Sequence, residues 1–193
     1  MGVAYLIEGE RAALGPVRRD LADTYARWMN GLDVRHGVSS LGIWDLAAEE
    51  RWVDRVSEAN GQMEPTQATF TIHDRRDGEP VGACTLMDIS PRHAGARYGI
   101  VVGERRGRGL GTDATRLTLD WASNVLSLRN VLLEVMPWNA AAIRAYEKAG
   151  FRLAGRRRDA LLVHGRRWDE VLMDAVAGEF TGSVLAGRAP RAE

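Results

Sequence analysis

The sequence predicts an α/β domain built on a mixed, mainly antiparallel sheet of about seven strands flanked by helices. Three observations lead there. Two segments near the N-terminus carry apolar residues at helical spacing. The pattern then changes to period two, with a hairpin signal at Asp77-Gly78. From residue 96 to residue 135 a strand, a Gly-rich loop, a helix and a second strand follow one another. That unit makes its two strands parallel neighbours.

Each element has its own signal. Residues 12–17 are expected as the first strand. Asp20 reads as an N-cap ahead of Leu21, Tyr25, Trp28 and Met29, which share one helical face, and Asn30-Gly31 stops that helix. Residues 45–59 form a second helix with Leu46, Trp52, Val53 and Val56 turned inward. Asp45, Glu49, Glu50, Asp54 and Glu58, interleaved with Arg51 and Arg55, are expected to form a solvated face. Strands follow at 68–72, 81–89 and 96–102. The next helix carries the stripe Leu110, Ala114, Leu117, Trp121 and Val125, and residues 130–135 return as a strand around Val131-Leu132-Leu133. Asn139 caps a short helix that Gly150 ends. Two last strands, 151–163 and 168–175, turn at His164-Gly165, and residues 178–193 are expected to be a frayed tail.

A chain of 193 residues suits one domain, here 1–177, with the tail as 178–193. Its 26 basic and 26 acidic residues cancel, which argues against a strongly basic nucleic-acid binder or a polybasic membrane anchor. Cys84 is the only cysteine, so no internal disulfide and no cysteine-based metal site is expected. Glu8 and Glu10 interrupt the N-terminal region, and no apolar run approaches the ~20 residues of a membrane span. A cytoplasmic protein is expected.

The chemical signal is Arg106-Gly107-Arg108-Gly109-Leu110-Gly111-Thr112. A phosphate at a helix N-terminus meets unpaired N–H groups and the positive end of the helix dipole. Close approach favours residues without a Cβ, and Arg106 and Arg108 add positive charge. An ordinary strand-to-helix turn accounts for the loop as well. A P-loop is excluded because the loop contains no Lys. A dinucleotide fingerprint fits Gly109-Leu110-Gly111-Thr112-Asp113-Ala114, with Glu134 placed as a ribose-binding acid. Its glycines stand several residues beyond the strand, however, and further βαβ units are missing.

The third reading is coenzyme A. Arg106–Gly111 matches Q/R-x-x-G-x-G/A, and Leu133-Glu134-Val135 with Asn139-Ala140-Ala141-Ala142-Ile143-Arg144-Ala145-Tyr146-Glu147-Lys148-Ala149-Gly150-Phe151 completes the pattern. The chain resembles the GNAT acetyltransferase superfamily over roughly residues 10–175. It is most similar to the branch that includes ribosomal-protein N-terminal and spermidine acetyltransferases, through Arg27-Trp28-Met29-Asn30 and His164-Gly165-Arg166-Arg167-Trp168-Asp169. One departure is Gly103, where the family often has Pro; it is expected to loosen the entry to the loop.

The resemblance implies a GNAT fold, acetyl-CoA as cosubstrate, a primary amine as acceptor and no metal. It places the pyrophosphate on Arg106, Gly107, Arg108, Gly109, Leu110, Gly111 and Thr112. The pantetheine arm lies along the backbone of Gly99, Ile100 and Val101, where the fourth strand splays from the fifth. Asn139 would touch the cofactor, although it also suits a plain helix cap. Tyr146 would be the general acid beside the sulfur, although it also suits the core beside Ala142 and Ile143. Glu134 is the candidate base. An alkyl ammonium of pKa ~10.4 is almost wholly charged at neutral pH, and a carboxylate among apolar neighbours holds a proton more readily than one in water. A solvent-facing or hydrogen-bonded Glu is the plainer account. Residues 31–44 would wall the acceptor side. Trp28, Trp44 and Trp138 are either that pocket or aromatic core. Self-association as a homodimer is expected by analogy alone. Two other functions stay open: a non-catalytic acyl-CoA-binding or regulatory domain, and a nicotinamide-dependent oxidoreductase.

Overall fold

The computed structural model describes residues 4–38, 42–179 and 183–185. Its sheet has eight strands: β1 (Ile7–Glu8), β2 (Ala12–Pro16), β3 (Ala68–Asp74), β4 (Pro80–Ser90), β5 (Gly95–Val102), β6 (Asn130–Val135), β7 (Arg152–Val163) and β8 (Arg166–Val176). They lie in the order β1-β2-β3-β4-β5-β6-β8-β7. Every neighbouring pair is antiparallel except β5 and β6, the parallel pair that the strand–helix–strand unit requires. The unpredicted strand is β1, whose two residues are too few to show a period.

The helices are α1 (Ala22–Asn30), α2 (Leu32–Val38), α3 (Leu46–Asn60), α4 (Leu110–Asn124) and α5 (Ala140–Ala149). The larger core packs Leu110, Leu117 and Leu119 of α4 on Phe70, Ile72, Leu86, Tyr98 and Leu133. The smaller core gathers Tyr25 and Trp28 of α1 with Val53 and Val56 of α3. Burying a large apolar side chain contributes roughly 1.5–3 kcal/mol, so these stripes hold the helices on the sheet.

Several local expectations are corrected. Asp20 does not cap α1; it sits in a 3-10 turn, where its carboxylate accepts from Arg18 Nε at 2.9 Å. Gly31 ends α1 as expected, but α2 follows at once where only a connecting wall was foreseen. On α3 the buried face runs through Glu49, Val53 and Val56, while Leu46 is 49% exposed. Val125 lies beyond the end of α4 and is exposed; Thr115, Thr118 and Asp120 are buried instead. Asp120 also reaches the tail: it accepts from the backbone N–H of Val184 at 2.7 Å and of Leu185 at 3.1 Å. The rest of the tail expectation lies outside the described residues.

Gly103 reverses its expected effect. A Cβ there would stand 2.2 Å from Trp28 Cγ, so the indole packs directly on the backbone. The Gly103 N–H also donates to Val81 O at 2.9 Å, a bond that Pro could not make. Trp28 Nε1 and Arg27 Nη1 both donate to Glu104 at 3.1 and 2.9 Å, pinning the next residue. The entry to the loop is therefore tight. Gly103→Ala is expected to destabilise by about 1–3 kcal/mol through overpacking, read as a lower urea midpoint with an unchanged slope.

Cys84 is 1% exposed against Thr118 Oγ1, and burial pushes its thiol up to about 12. A thiol reagent is expected to leave the native protein unlabelled and to react only on unfolding, because the thiolate is the nucleophile.

Candidate active site

A cleft of about 600 Å³ is walled by the C-terminal half of β5, the end of β6, the loop into α4, α5 from Ala141 to Lys148, and α2. β5 and β6 pair only from Gly95↔Asn130 to Arg97↔Leu132. Beyond that point β5 continues to Val102 and β6 to Val135, each held by its other neighbour, so the two strands part. The β5 edge facing the gap has no strand beside it. Unpaired backbone groups on a strand edge are a template for another extended, amide-bearing chain. Ile100, Val101 and Val102 line the gap, whereas Gly99 does not and instead packs near Met87.

At the upper end of the cleft α4 begins at Gly109 with φ 79°, a left-handed conformation that favours glycine. No side chain caps α4, whereas Asp45 caps α3 and Asn139 caps α5. The first N–H groups of a helix lack intrahelical partners. Those of α4 therefore open where an anion can take them. Gly111 serves packing, since a Cβ there would stand 3.2 Å from Val102 Cγ2. The loop is braced on both sides. Arg105 donates to Asp74 at 2.9 Å and to Asp77 at 2.8 Å, with Asp74 also held by Arg76. These guanidiniums hold the buried Asp74 carboxyl well below the usual carboxylate range, the Arg76 hydrogen bond contributing most. On the other side Asp113 accepts from the N–H groups of Arg11 and Ala12 at 2.7 and 2.8 Å.

Arg106, Gly107, Gly109, Leu110, Gly111 and Thr112 line the cleft. Arg106 is tied back, donating from Nε to Val102 O at 2.7 Å and from Nη1 to Asp33 at 3.2 Å. Arg108 does not line the cleft; its carbonyl accepts from Arg11 Nη1 at 3.2 Å. Arg144 and Lys148 do line it, and sequence reading passed over them. Their spacing of one helical turn, on the helix that carries Tyr146, was the available signal.

Asn139 Oδ1 accepts from the Ala142 N–H at 3.1 Å, the capping role, while its Nδ2 lies toward Gly37 of α2. The cap half of its dual reading is thus observed. Tyr146 is half-buried at the cleft wall, edge-on to Tyr98 and Phe151 at ring separations of 6.3 and 5.9 Å. Burial pushes its phenol up to about 12. It is therefore protonated at neutral pH, as a donor must be.

Glu134 also lines the cleft, but its setting differs from the apolar one expected. Arg97 Nη2 donates to its Oε2, and Arg97 reaches Asp88 as well at 3.5 Å. Of the three tryptophans, Trp28 is core, Trp138 lines the cleft and donates to His36 O at 3.3 Å, and Trp44 is half-buried where its N–H meets Asn30. Among the described residues no grouping of three or more His, Cys, Asp or Glu side chains could hold a metal ion, and no helix is long and apolar enough to cross a membrane.

An uncapped helix start joined to a one-sided strand edge defines a protein that receives a long ligand, anionic at one end and amide-bearing along its length. Comparison with known proteins makes this specific. A family profile described as "Acetyltransferase (GNAT) domain" matches residues 11–152, and the chain belongs to that family. It is 33% identical over 98 residues to spermidine N(1)-acetyltransferase of Escherichia coli (strain K12), covering 50% of this chain and 53% of that protein. It is 30% identical over 117 residues to the probable N-acetyltransferase YjcK of Bacillus subtilis, covering 58% and 63%. The chain thus spans about half to three fifths of the length of these curated relatives. Among solved structures it resembles spermidine N-acetyltransferase from Vibrio cholerae in complex with CoA and spermine. That match has a TM-score of 0.77 at 20% identity, over 87% of this chain and 96% of that one. It also resembles a GCN5-related N-acetyltransferase from Brucella melitensis, with a TM-score of 0.70 at 25% identity, over 89% and 78%.

Proposed function

We propose that this chain is an N-acetyltransferase that moves an acetyl group from acetyl-CoA directly to a primary amine. The observation that carries the reading is the continuity of one cleft. The uncapped N-terminus of α4, the free edge of β5, Asn139, Tyr146 and Glu134 all face it. Coenzyme A presents a pyrophosphate, two amides and a thiol in that order, and the cleft offers N–H groups, a strand edge and a phenol in the same order. The thioester supplies an activated acyl group.

The chain's own residues then have distinct tasks. The helix start and the loop hold the phosphates. The β5 backbone aligns the extended arm, which brings the acyl carbon to the splay and removes much of the entropic cost of meeting the amine. Tyr146, a neutral phenol that burial keeps protonated well into the alkaline range, donates a hydrogen bond to sulfur as negative charge builds there. A phenol at about 12 does not hand its proton over completely to a thiolate whose acid is near ~8.5, so its contribution is charge stabilisation as the sulfur leaves. Glu134 faces the acceptor side and receives a proton from the ammonium, which requires its Arg97 contact to yield or be offset.

The acceptor is a small-molecule or peptide amine. The polyamine named for the Escherichia coli relative is the first to try. A CoA-thiol release assay over polyamines, amino sugars and peptide N-termini tests the proposal. Tight CoA binding with no thiol release on any amine would favour an acyl-CoA-binding domain instead. A thermal-shift comparison in which NAD(P)H stabilises the protein and acetyl-CoA does not would point to an oxidoreductase; a ligand at 100 times its Kd adds about 2.7 kcal/mol.

A further inference from the structure

Glu134 does not stand alone. The sheet order places β5, β6, β8 and β7 side by side, and their registers are Arg97↔Leu132, Glu134↔Leu172 and Arg157↔Glu170. Alternation along the strands puts Arg97, Glu134, Glu170 and Arg157 on one sheet face, one residue from each of four adjacent strands. The row reads plus, minus, minus, plus. Its outer members each hold a neighbour: Arg97 donates to Glu134, and Arg157 Nη2 stands 2.9 Å from Glu170 Oε2. At the centre Glu134 and Glu170 are diagonal neighbours on one face of the β6–β8 pairing, since Glu134 is registered with Leu172.

Glu170 is 6% exposed, and its fully buried Oε2 has the Arg157 ion pair at 2.9 Å but no hydrogen bond. Desolvating a carboxylate is costly, and this ion pair only partly offsets it. Burial pushes the Glu170 carboxyl up, the nearby Glu134 charge adds to this, and Arg157 and Arg97 oppose it. The negative charge of Glu134 thus favours a proton on Glu170. Of the two, only Glu134 lines the cleft.

We propose that Glu170 is a positioning residue for amine deprotonation, acting through Glu134: the two carboxylates form one proton-accepting pair in which Glu134 meets the acceptor and the charge of Glu170 behind it offsets Arg97. The inference rests on the acetyl-transfer reading. An ammonium acceptor gives up two protons in the whole reaction, one ending on the CoA sulfur and the other released. The carboxyl pair takes the first. An N–H bond breaks, an O–H bond forms on the pair, and the freed nitrogen lone pair attacks the acyl carbon; the C–S bond then breaks, and the departing thiolate takes the second N–H proton. The proton returns to solvent through the cleft after product leaves. The charged groups facing the pair are Arg97 on β5 and Arg157 on β7, with Asp88 of β4 on the far side of Arg97.

The test compares wild type, Glu170→Gln, Glu170→Asp and Glu134→Gln, with kcat and KM for the amine measured from about pH 6 to about pH 10. Glu170→Gln is expected to lose about tenfold or more in kcat/KM near neutral pH, with the deficit closing at the alkaline end, where the amine is neutral unaided. CoA affinity should not change, Glu170→Asp should recover most of the rate, and adding Glu170→Gln to Glu134→Gln should cost little more. A loss that is the same at every pH, or no loss, overturns the proposal while leaving the acetyl-transfer reading intact. A wild type that transfers acetyl to no amine overturns both. Carbon-13 NMR of the Glu170 carboxyl gives a readout apart from turnover: Glu134→Gln must lower its titration midpoint, and an unmoved midpoint also overturns the pair.

Discussion

Tyr146→Phe is expected to lower turnover about a hundredfold or more while leaving CoA affinity within a few-fold of wild type. The ring is held by Tyr98 and Phe151, and Phe fills the same space, so the substitution removes one hydroxyl and little packing. The proposed phosphate site lies elsewhere on the cleft, at the uncapped start of α4. Because burial keeps the phenol protonated up to about 12, its donor role should persist through the alkaline range in wild type. The measurements are single-turnover thiol release and calorimetric CoA binding. Unchanged turnover with unchanged affinity would make Tyr146 a packing residue only.

Glu49→Gln is expected to stabilise the fold at alkaline pH and to make no difference in acid. Glu49 is 2% exposed on the inner face of α3, in line with Val53 and Val56. Burial, only partly opposed by Arg55, pushes its carboxyl from an ordinary 4.5 up to about 7. The folded state therefore holds this proton more tightly than the unfolded chain. Wild-type stability from this group is fully present below about 4.5, falls as pH rises toward about 7, and stays low above that. A difference of that size corresponds to at most about 3 kcal/mol, which Gln should largely recover because it carries no charge to bury. Urea unfolding of both proteins at several pH values reads this directly. Parallel stability curves, with no closing gap in acid, would show that Glu49 is solvated or paired in solution.

Glu49 also shows where sequence reading stops. Its spacing of i, i+4, i+7 with Val53 and Val56 put it on their line, but its acidic neighbours Asp45, Glu50, Asp54 and Glu58 made that face look solvated, and the sequence does not say how deeply α3 is covered. The rotation of α3 is set by what it packs on, Tyr25 and Trp28 of α1. Gly103 is a similar case. As a departure from a motif it suggested looseness, whereas the Trp28 indole lying on its backbone makes it a tight contact. α2 escaped notice because its seven residues carry too short a period to count.

Local chemistry was legible from residues alone. The turn at Asp77-Gly78, the cap Asn139, the stop at Gly150 and the parallel β5–β6 pair follow from short-range rules that act on a few consecutive residues. The Arg106–Gly111 loop belonged to the same level, and with Asn139 and Tyr146 downstream it named the donor side of the site. Contacts between strands far apart in sequence were not legible. Inserting β8 between β6 and β7 is what brings Glu170 beside Glu134, residues whose separation along the chain carries no signal of contact. The same folding sets Arg97 against Glu134 and turns an expected apolar base into one member of a charged row. Burial and electrostatic partners are properties of the packed sheet, so those of the acceptor side appear only once the strands have taken their order.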